Sequence, residues 1–252
     1  MSVVSVVGAA KASVVVLVPI YKDRLDANEQ LGVDHSLKVL QGRDIRFIAP
    51  DRLDGSYYQT RYPGVPIERF APPCFDSIQE YNRLLLSANF YRRYQATEFM
   101  LVLQTDAIVL RDELDHWCAR PFDYVGAPWP KLYELQLQTG RFEGGFSKQV
   151  SIHVGNGGLS LRRIAKSIQL LEEFPIELDL FLRTGSSEDL FFSVMGSLSC
   201  DFVLPNEVTA SLFAMEGWPT YYYRINGGKA PMGGHAWWIN EPTFWAERIA
   251  SA

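Results

Sequence analysis

Apolar and polar positions along the chain alternate between strand-like and helix-like blocks. Val14-Val-Val-Leu-Val-Pro-Ile20 is an unbroken apolar, β-branched run, which predicts a strand buried on both faces of a parallel sheet. Residues 28–40 carry helical spacing, and Gly42 ends it. A second apolar run, Ile45 to Ala49, closes at Pro50-Asp51, and residues 51–73, rich in Gly, Pro, Asp and Tyr, predict a long loop. From Ile78 to Tyr94, the residues Ile78, Tyr81, Leu84, Leu85, Ala88 and Tyr91 recur at three- and four-residue steps and predict one amphipathic helix. Phe99 to Leu103 is again fully apolar; Gln104-Thr-Asp106 interrupts it before Ile108 to Leu110 resumes. The second half predicts a glycine turn at Gly155 to Gly158, helices near residues 164–174 and 188–196, and an aromatic, Gly-rich tail from Trp218.

The order strand, helix, strand, helix, strand predicts an α/β fold with a mostly parallel sheet. No repeat, low-complexity tract or linker divides the 252 residues, so a single domain over 1–252 is expected. With 47% hydrophobic and 21% charged residues the chain is of ordinary globular composition, which excludes intrinsic disorder. A net charge of −5 argues against a nucleic-acid coat protein. Cys74, Cys118 and Cys200 are widely spaced and form no CxxC pair, so neither a zinc ribbon nor a disulfide scaffold is expected. The run Val14 to Ile20 is far shorter than the ~20 residues of a membrane span. Tyr21-Lys22-Asp23 follows it in place of a small-residue cleavage site. A cytoplasmic protein without a membrane span is the expectation.

Several α/β chemistries are missing their signatures. No G-x-G-x-x-G follows the first strand, no P-loop occurs, and no G-x-S-x-G elbow is present. A chain that binds phosphate without a glycine cradle usually relies on a metal ion. Asp106 stands where a buried strand reaches its C-terminal end, the edge at which open α/β sheets place ligands. It reads equally as a hard-cation ligand or as the cap of a turn before Ile108. Gly155-Asn-Gly-Gly158 would let a ligand approach the backbone closely, although Asn-Gly is also a plain hairpin signal. Glu188 and Asp189 sit at a helix start, where acids also serve the helix dipole and complete a capping box from Ser186. His235 lies in a Gly-flanked loop among aromatics, whereas His116 reads as structural and His35 and His153 carry no pattern.

In their order along the chain, seven segments resemble the GT-A type of nucleotide-sugar-dependent glycosyltransferase. They are Pro19-Ile-Tyr-Lys22, Tyr81-Asn-Arg-Leu-Leu-Leu-Ser87, Gln104-Thr-Asp-Ala107, Tyr124-Val-Gly-Ala-Pro-Trp129, Gly155-Asn-Gly-Gly158, Glu188-Asp189 and Gly234-His-Ala-Trp237. Within that type the chain is most similar to a family catalogued largely as a domain of unknown function. The first acid of the D-x-D motif is Gln104 here, which leaves Asp106 as that motif's only carboxylate.

The resemblance implies a three-layer α/β/α sandwich, with the donor on residues of about 14–130 and the acceptor on about 150–245. It implies transfer of a sugar, with inversion, from a nucleotide diphosphate sugar to a glycan or other hydroxyl acceptor, in glycan or polysaccharide synthesis. A divalent cation, Mn²⁺ or Mg²⁺, would be held by Asp106 and His235. Pro19, Tyr21, Lys22, Asn82, Arg83, Gln104, Asp106, Asn156, Gly157, Gly158 and Lys229 would meet the donor, with Asn82 and Arg83 reading equally as an exposed helix face. Trp129 would touch a sugar, the other tryptophans being packing. Asp189, or else Glu188, would be the catalytic base. The alternatives are an inactive sugar-nucleotide or glycan-binding module and, further off, a nucleotidyltransferase.

Overall fold

The computed structural model describes residues 12–137 and 148–251. The chain opens with β1 (Val14–Pro19), α1 (Ala27–Val39), β2 (Asp44–Pro50), α2 (Ser56–Arg61), β3 (Ile67–Phe70), α3 (Ile78–Leu85), α4 (Ala88–Arg92) and β4 (Phe99–Leu103). It continues through β5 (Ala107–Val109), α5 (Leu114–Cys118), β6 (Tyr124–Leu137), β7 (Lys148–Arg163), α6 (Ile164–Glu173), α7 (Pro175–Thr184) and α8 (Glu188–Leu198). The last elements are α9 (Glu207–Phe213), β8 (Ala214–Met215), α10 (Pro219–Ile225), β9 (Gly233–His235) and α11 (Pro242–Ser251).

The main sheet has the order β3-β2-β1-β4-β7-β6. Its first four strands are mutually parallel, and β7 runs against both β4 and β6. The mostly parallel α/β sheet expected from the apolar runs is thus present. Alternation along β1 divides the core in two: Val14, Val16 and Val18 face one cluster with α1 and α2, through Val33, Tyr58 and Tyr62. Val15 and Leu17 face the other, with α4, α6 and α8, through Tyr91, Leu170 and Phe192. Three layers result. A second, small sheet of order β5-β9-β8 joins β5 to two strands more than a hundred residues later in the sequence.

Three predicted elements differ. The loop over 51–73 contains α2 and the edge strand β3, because Tyr58, Tyr62 and Phe70 supply buried faces that outweigh the turn-rich composition. The helix predicted from Ile78 to Tyr94 breaks at Leu86-Ser87 into α3 and α4. In a continuous helix Leu84 and Leu86 would point about 200° apart; the break lets both bury, with Phe90 beside them. Most consequentially, Gly155 to Gly158 form no turn. They lie extended within β7, and none of the three glycines has a positive φ. Residues 157–160 face only Gly126 of β6, a bulge between the pairs Val125–Leu161 and Ala127–Asn156.

α1 begins in a complete capping box. The Asp26 carboxylate accepts from the amides of Asn28 and Glu29, both at 2.9 Å, and Glu29 Oε2 accepts from the Asp26 amide at 3.0 Å. Asp26→Ala is expected to cost about 0.5–2 kcal/mol in urea unfolding, with Asp26→Ser restoring most of it.

Candidate active site

The C-terminal ends of β1 and β4 stand side by side. Thr105, just past β4, donates to Glu29 at 2.8 Å, and Lys22, just past β1, donates to the same carboxylate oxygen at 2.8 Å. Glu29 is buried, so its capping role in α1 also fastens the two strand exits together. Lys22 lies near Asp106, as does the exposed Tyr21 phenol, and each bears electrostatically on that carboxylate or feels it. Pro19 is buried at the end of β1, paired in register with Ile48. Gln104 donates its backbone amide to the Gly158 carbonyl at 2.9 Å, which fixes β7 against the β4 exit.

The small sheet decides where the acids and the histidine meet. Ala107 pairs with His235 across β5 and β9, and Met215 pairs with Gly234 across β8 and β9. Asp106, Glu216 and His235 therefore emerge at one end of three adjacent strands. His235 Nε2 lies 3.1 Å from Asp106 Oδ1, and His235 Nδ1 lies 3.2 Å from Glu216 Oε1. Burial alone would lower the His235 pKa; the carboxylates on either side outweigh it and push the value up to about 10. Burial would likewise raise the Asp106 carboxyl, but the imidazole beside it holds it below its ordinary value. The following residue, Ala236, sits at φ 48° and donates its amide to the Asp106 carbonyl at 3.0 Å. A left-handed alanine of this kind costs about 1–3 kcal/mol and is retained where the surroundings dictate it.

The glycines of β7 let these groups close on one another. Successive strand residues face opposite sides. A Cβ on Gly158 would overlap the His235 ring, while a Cβ on Gly157 would lie 2.6 Å from Glu188 Oε1. Only the thickness of β7 separates the histidine from the acidic pair. Asp189 Oδ2 accepts from the Gly157 amide at 3.3 Å and Oδ1 from the Leu190 amide at 2.7 Å. Ser187 caps α8 without a side-chain hydrogen bond, so the capping box expected from Ser186 does not form; Ser186 instead pairs with Thr184 at 2.8 Å.

The two acids differ sharply in surroundings. Glu188 is buried against Arg162, itself fully buried, at 2.9 Å. Burial raises the Glu188 pKa to about 7, with Arg162 pulling it back down and Asp189 adding to the rise. Arg162 also donates to Tyr91 Oη at 2.9 Å and to Ser160 Oγ at 3.1 Å, so it stays a cation inside the core. Asp189 is only half-buried.

Other predicted residues fall elsewhere. Asn156 does not offer its amide outward: Nδ2 donates to Glu216 Oε2 at 2.6 Å and Oδ1 accepts from the Gly158 amide at 3.0 Å. Arg83, exposed on α3, donates to the Leu182 carbonyl at 2.9 Å, which ties α3 to α7. Asn82, beside it on α3, is half-buried. Lys229 is exposed next to Ala230, whose carbonyl accepts from Arg111 at 2.7 Å. That contact lies at the far end of the β5–β9 ladder from His235, so the structure does not bring Lys229 to the histidine. Trp129 packs in β6, not a loop, its ring 2.6 Å from where a Gly155 Cβ would be. Trp237 and Trp245 are buried as expected, but Trp218 is 52% exposed. An open cleft of about 860 Å³ between α1 and α2 is lined by Arg24, Tyr57 and Arg61 and by none of the predicted residues.

Glu216, Glu29 and Arg162 are the residues that sequence reasoning missed. Only Glu29 had a local signal, three positions after Asp26. The Tyr81 hydroxyl and Glu188 Oε2 are buried without a hydrogen-bond partner, as is His235 Nε2.

The family described as "Protein of unknown function (DUF5672)" matches residues 64–235, more than half of the chain. The chain belongs to that family. The DUF5672 match takes in Gln104, Asp106, the β7 glycines, Glu188 and Asp189 and ends at His235. One segment of 103 residues, 38% of this chain, is 27% identical to a glycogen synthase of Pseudothermotoga lettingae and spans 21% of that protein's length. A solved glycosyltransferase involved in the glycosylation of the major capsid of PBCV-1 is 12% identical, with a TM-score of 0.49 over 95% of this chain and 98% of that chain. Among the described residues no helix is long and apolar enough to cross a membrane.

In this DUF5672 chain, Gly158→Ala is expected to force the His235 ring aside. The cost should be about 1–3 kcal/mol in urea unfolding, as for other overpacked positions, with a shift of the His235 ring resonances in NMR.

Proposed function

We propose that this chain is a metal-dependent glycosyltransferase of the GT-A type, moving a sugar with inversion from a nucleotide diphosphate sugar to a glycan or other hydroxyl acceptor. The observation that carries the reading is the pairing of Asp106 with His235 at the C-terminal end of the parallel strands, where α/β sheets bind ligands. The segment similar to a glycogen synthase supports glycosyl transfer as the chemistry.

The residues present fit a divalent cation. His235 Nε2 is buried and directs no hydrogen bond at the oxygen 3.1 Å away. Neighbouring ligand atoms on an octahedral ion with bonds of about 2.1 Å stand about 3.0 Å apart, close to that separation. Glu216 meets the opposite ring nitrogen, so it is not a third ligand, and no group of three or more such side chains surrounds one point among the described residues. Two protein ligands suit Mg²⁺ or Mn²⁺, which are commonly completed by substrate phosphates and water. When bound, the cation would neutralise charge developing on the departing nucleotide diphosphate.

The chain's own groups supply the rest. Lys22, anchored by Glu29, adds positive charge beside Asp106 at the β1 exit. Tyr21 is the exposed aromatic next to it and offers a face for the base or ribose. Of the two acids, Asp189 is the better base: it is the more accessible, and Glu188 is committed to Arg162. It would take the acceptor hydroxyl's proton as that oxygen attacks the anomeric carbon. The side-chain-free backbone at Gly157 and Gly158 lets the acidic pair and the ion-binding histidine pack directly against opposite faces of β7.

Thermal shift against a panel of nucleotide diphosphate sugars, with and without Mn²⁺, tests the reading. A cognate donor at a hundredfold excess over Kd should add about 2.7 kcal/mol of stability. Asp106→Asn should abolish the metal-dependent part while the free protein unfolds normally; a donor shift indifferent to both metal and Asp106 would refute the metal site. Asp189→Asn should lower kcat by roughly 10²–10⁴-fold with donor affinity nearly kept. Near-normal kcat in that variant would return Asp189 to a helix-start role, and donor binding without turnover on any acceptor would favour a binding module.

A further inference from the structure

We infer that Glu216 is the positioning residue of the metal site, its two carboxylate oxygens clamping His235 Nδ1 on one side and Asn156 Nδ2 on the other. The inference rests on the reading of Asp106 and His235 as metal ligands. A carboxylate only accepts hydrogen bonds, so the contact of 3.2 Å from Glu216 Oε1 to His235 Nδ1 places a hydrogen on Nδ1. The ring's remaining nitrogen, Nε2, is then the one left to bind an ion, and it is the buried nitrogen that lacks a hydrogen-bond partner. Carboxylate, imidazole and metal in this sequence fix both the tautomer and the ring plane.

The second oxygen makes the clamp selective for an acid. Glu216 Oε2 accepts from Asn156 Nδ2 at 2.6 Å, and Asn156 Oδ1 accepts from the Gly158 amide at 3.0 Å. Gly158 is in turn the residue against which the His235 ring lies. The circuit closes on itself: backbone of β7, Asn156, Glu216, His235, backbone of β7. A glutamine at 216 has one acceptor atom for two donors and must release one of them. An aspartate is a methylene too short to reach both. The circuit also explains why Asn156 turns inward.

The test uses the whole chain and Mn²⁺, alone and with inorganic pyrophosphate, following free Mn²⁺ by electron paramagnetic resonance. Wild type should bind, Asp106→Asn should lose binding, and Glu216→Gln should bind about 10–100-fold more weakly, the effect usual for such outer partners. Urea unfolding confirms that the isosteric variant is folded. A second readout is the ring tautomer in the Mg²⁺-saturated protein, from long-range ¹H–¹⁵N correlations. Wild type should show hydrogen on Nδ1 alone, and Glu216→Gln at the same Mg²⁺ concentration should retain a fraction of metal-free ring. If wild type binds Mn²⁺ through Asp106 but Glu216→Gln binds equally tightly with no metal-free ring, the clamp is wrong and the metal reading survives. Absence of Mn²⁺ binding in wild type under both conditions overturns the two together.

Discussion

The geometry of this molecule depends on a stretch of β7 that carries almost no side chains. Gly155, Gly157 and Gly158 are extended, and the space that their Cβ atoms would fill is taken by other residues' side chains. Trp129 and Ser193 close over Gly155, Glu188 over Gly157, and the His235 ring over Gly158. Close packing tolerates no overlap, so one methyl group at any of these positions must displace something. The constraint is steric, and it brings groups from both faces of the sheet to a single strand.

Electrostatics then separates the groups that β7 brings near. Arg162 is fully buried, and it is bound by Glu188, Tyr91 and Ser160. Removing a guanidinium from water is costly, and a pair of this kind persists only with its remaining donors satisfied. The arrangement commits Glu188 to the core and leaves its neighbour Asp189 at the accessible edge. A similar division operates on the other face, where Asp106 and Glu216 take opposite nitrogens of one imidazole. In each case two acids near one cationic group receive different surroundings, and different surroundings give different chemistry.

The strand exits form a third linked unit. Glu29 caps α1, accepts from Thr105 past β4 and pairs with Lys22 past β1. One buried carboxylate therefore couples a helix start to two strand ends, and a shift in any of the three would move Lys22 relative to Asp106. The small sheet β5-β9-β8 completes the frame by setting Glu216 and His235 level with Asp106.

The sequence by itself determined β1, β2 and β4, three of the parallel strands of the main sheet, and the place of Asp106 just past the last of them. Runs such as Val14 to Ile20 and Phe99 to Leu103 are buried on both faces, and Asp106 marks where the second one ends. Helical spacing over residues 28–40 also located α1. The sequence misled where a local preference met a tertiary demand. Asn-Gly at 156–157 favours a hairpin turn, yet β4 and β6 hold the segment extended and give the glycines a spacing role. Asn156 and Arg83 look like free polar groups until Glu216 and the Leu182 carbonyl are placed beside them. The clamp on His235 was beyond any reading of spacing. Residues 106, 156, 216 and 235 share no periodicity and meet only when three short strands pair beside β7, because hydrogen-bond partners are selected by distance in space and not by separation along the chain.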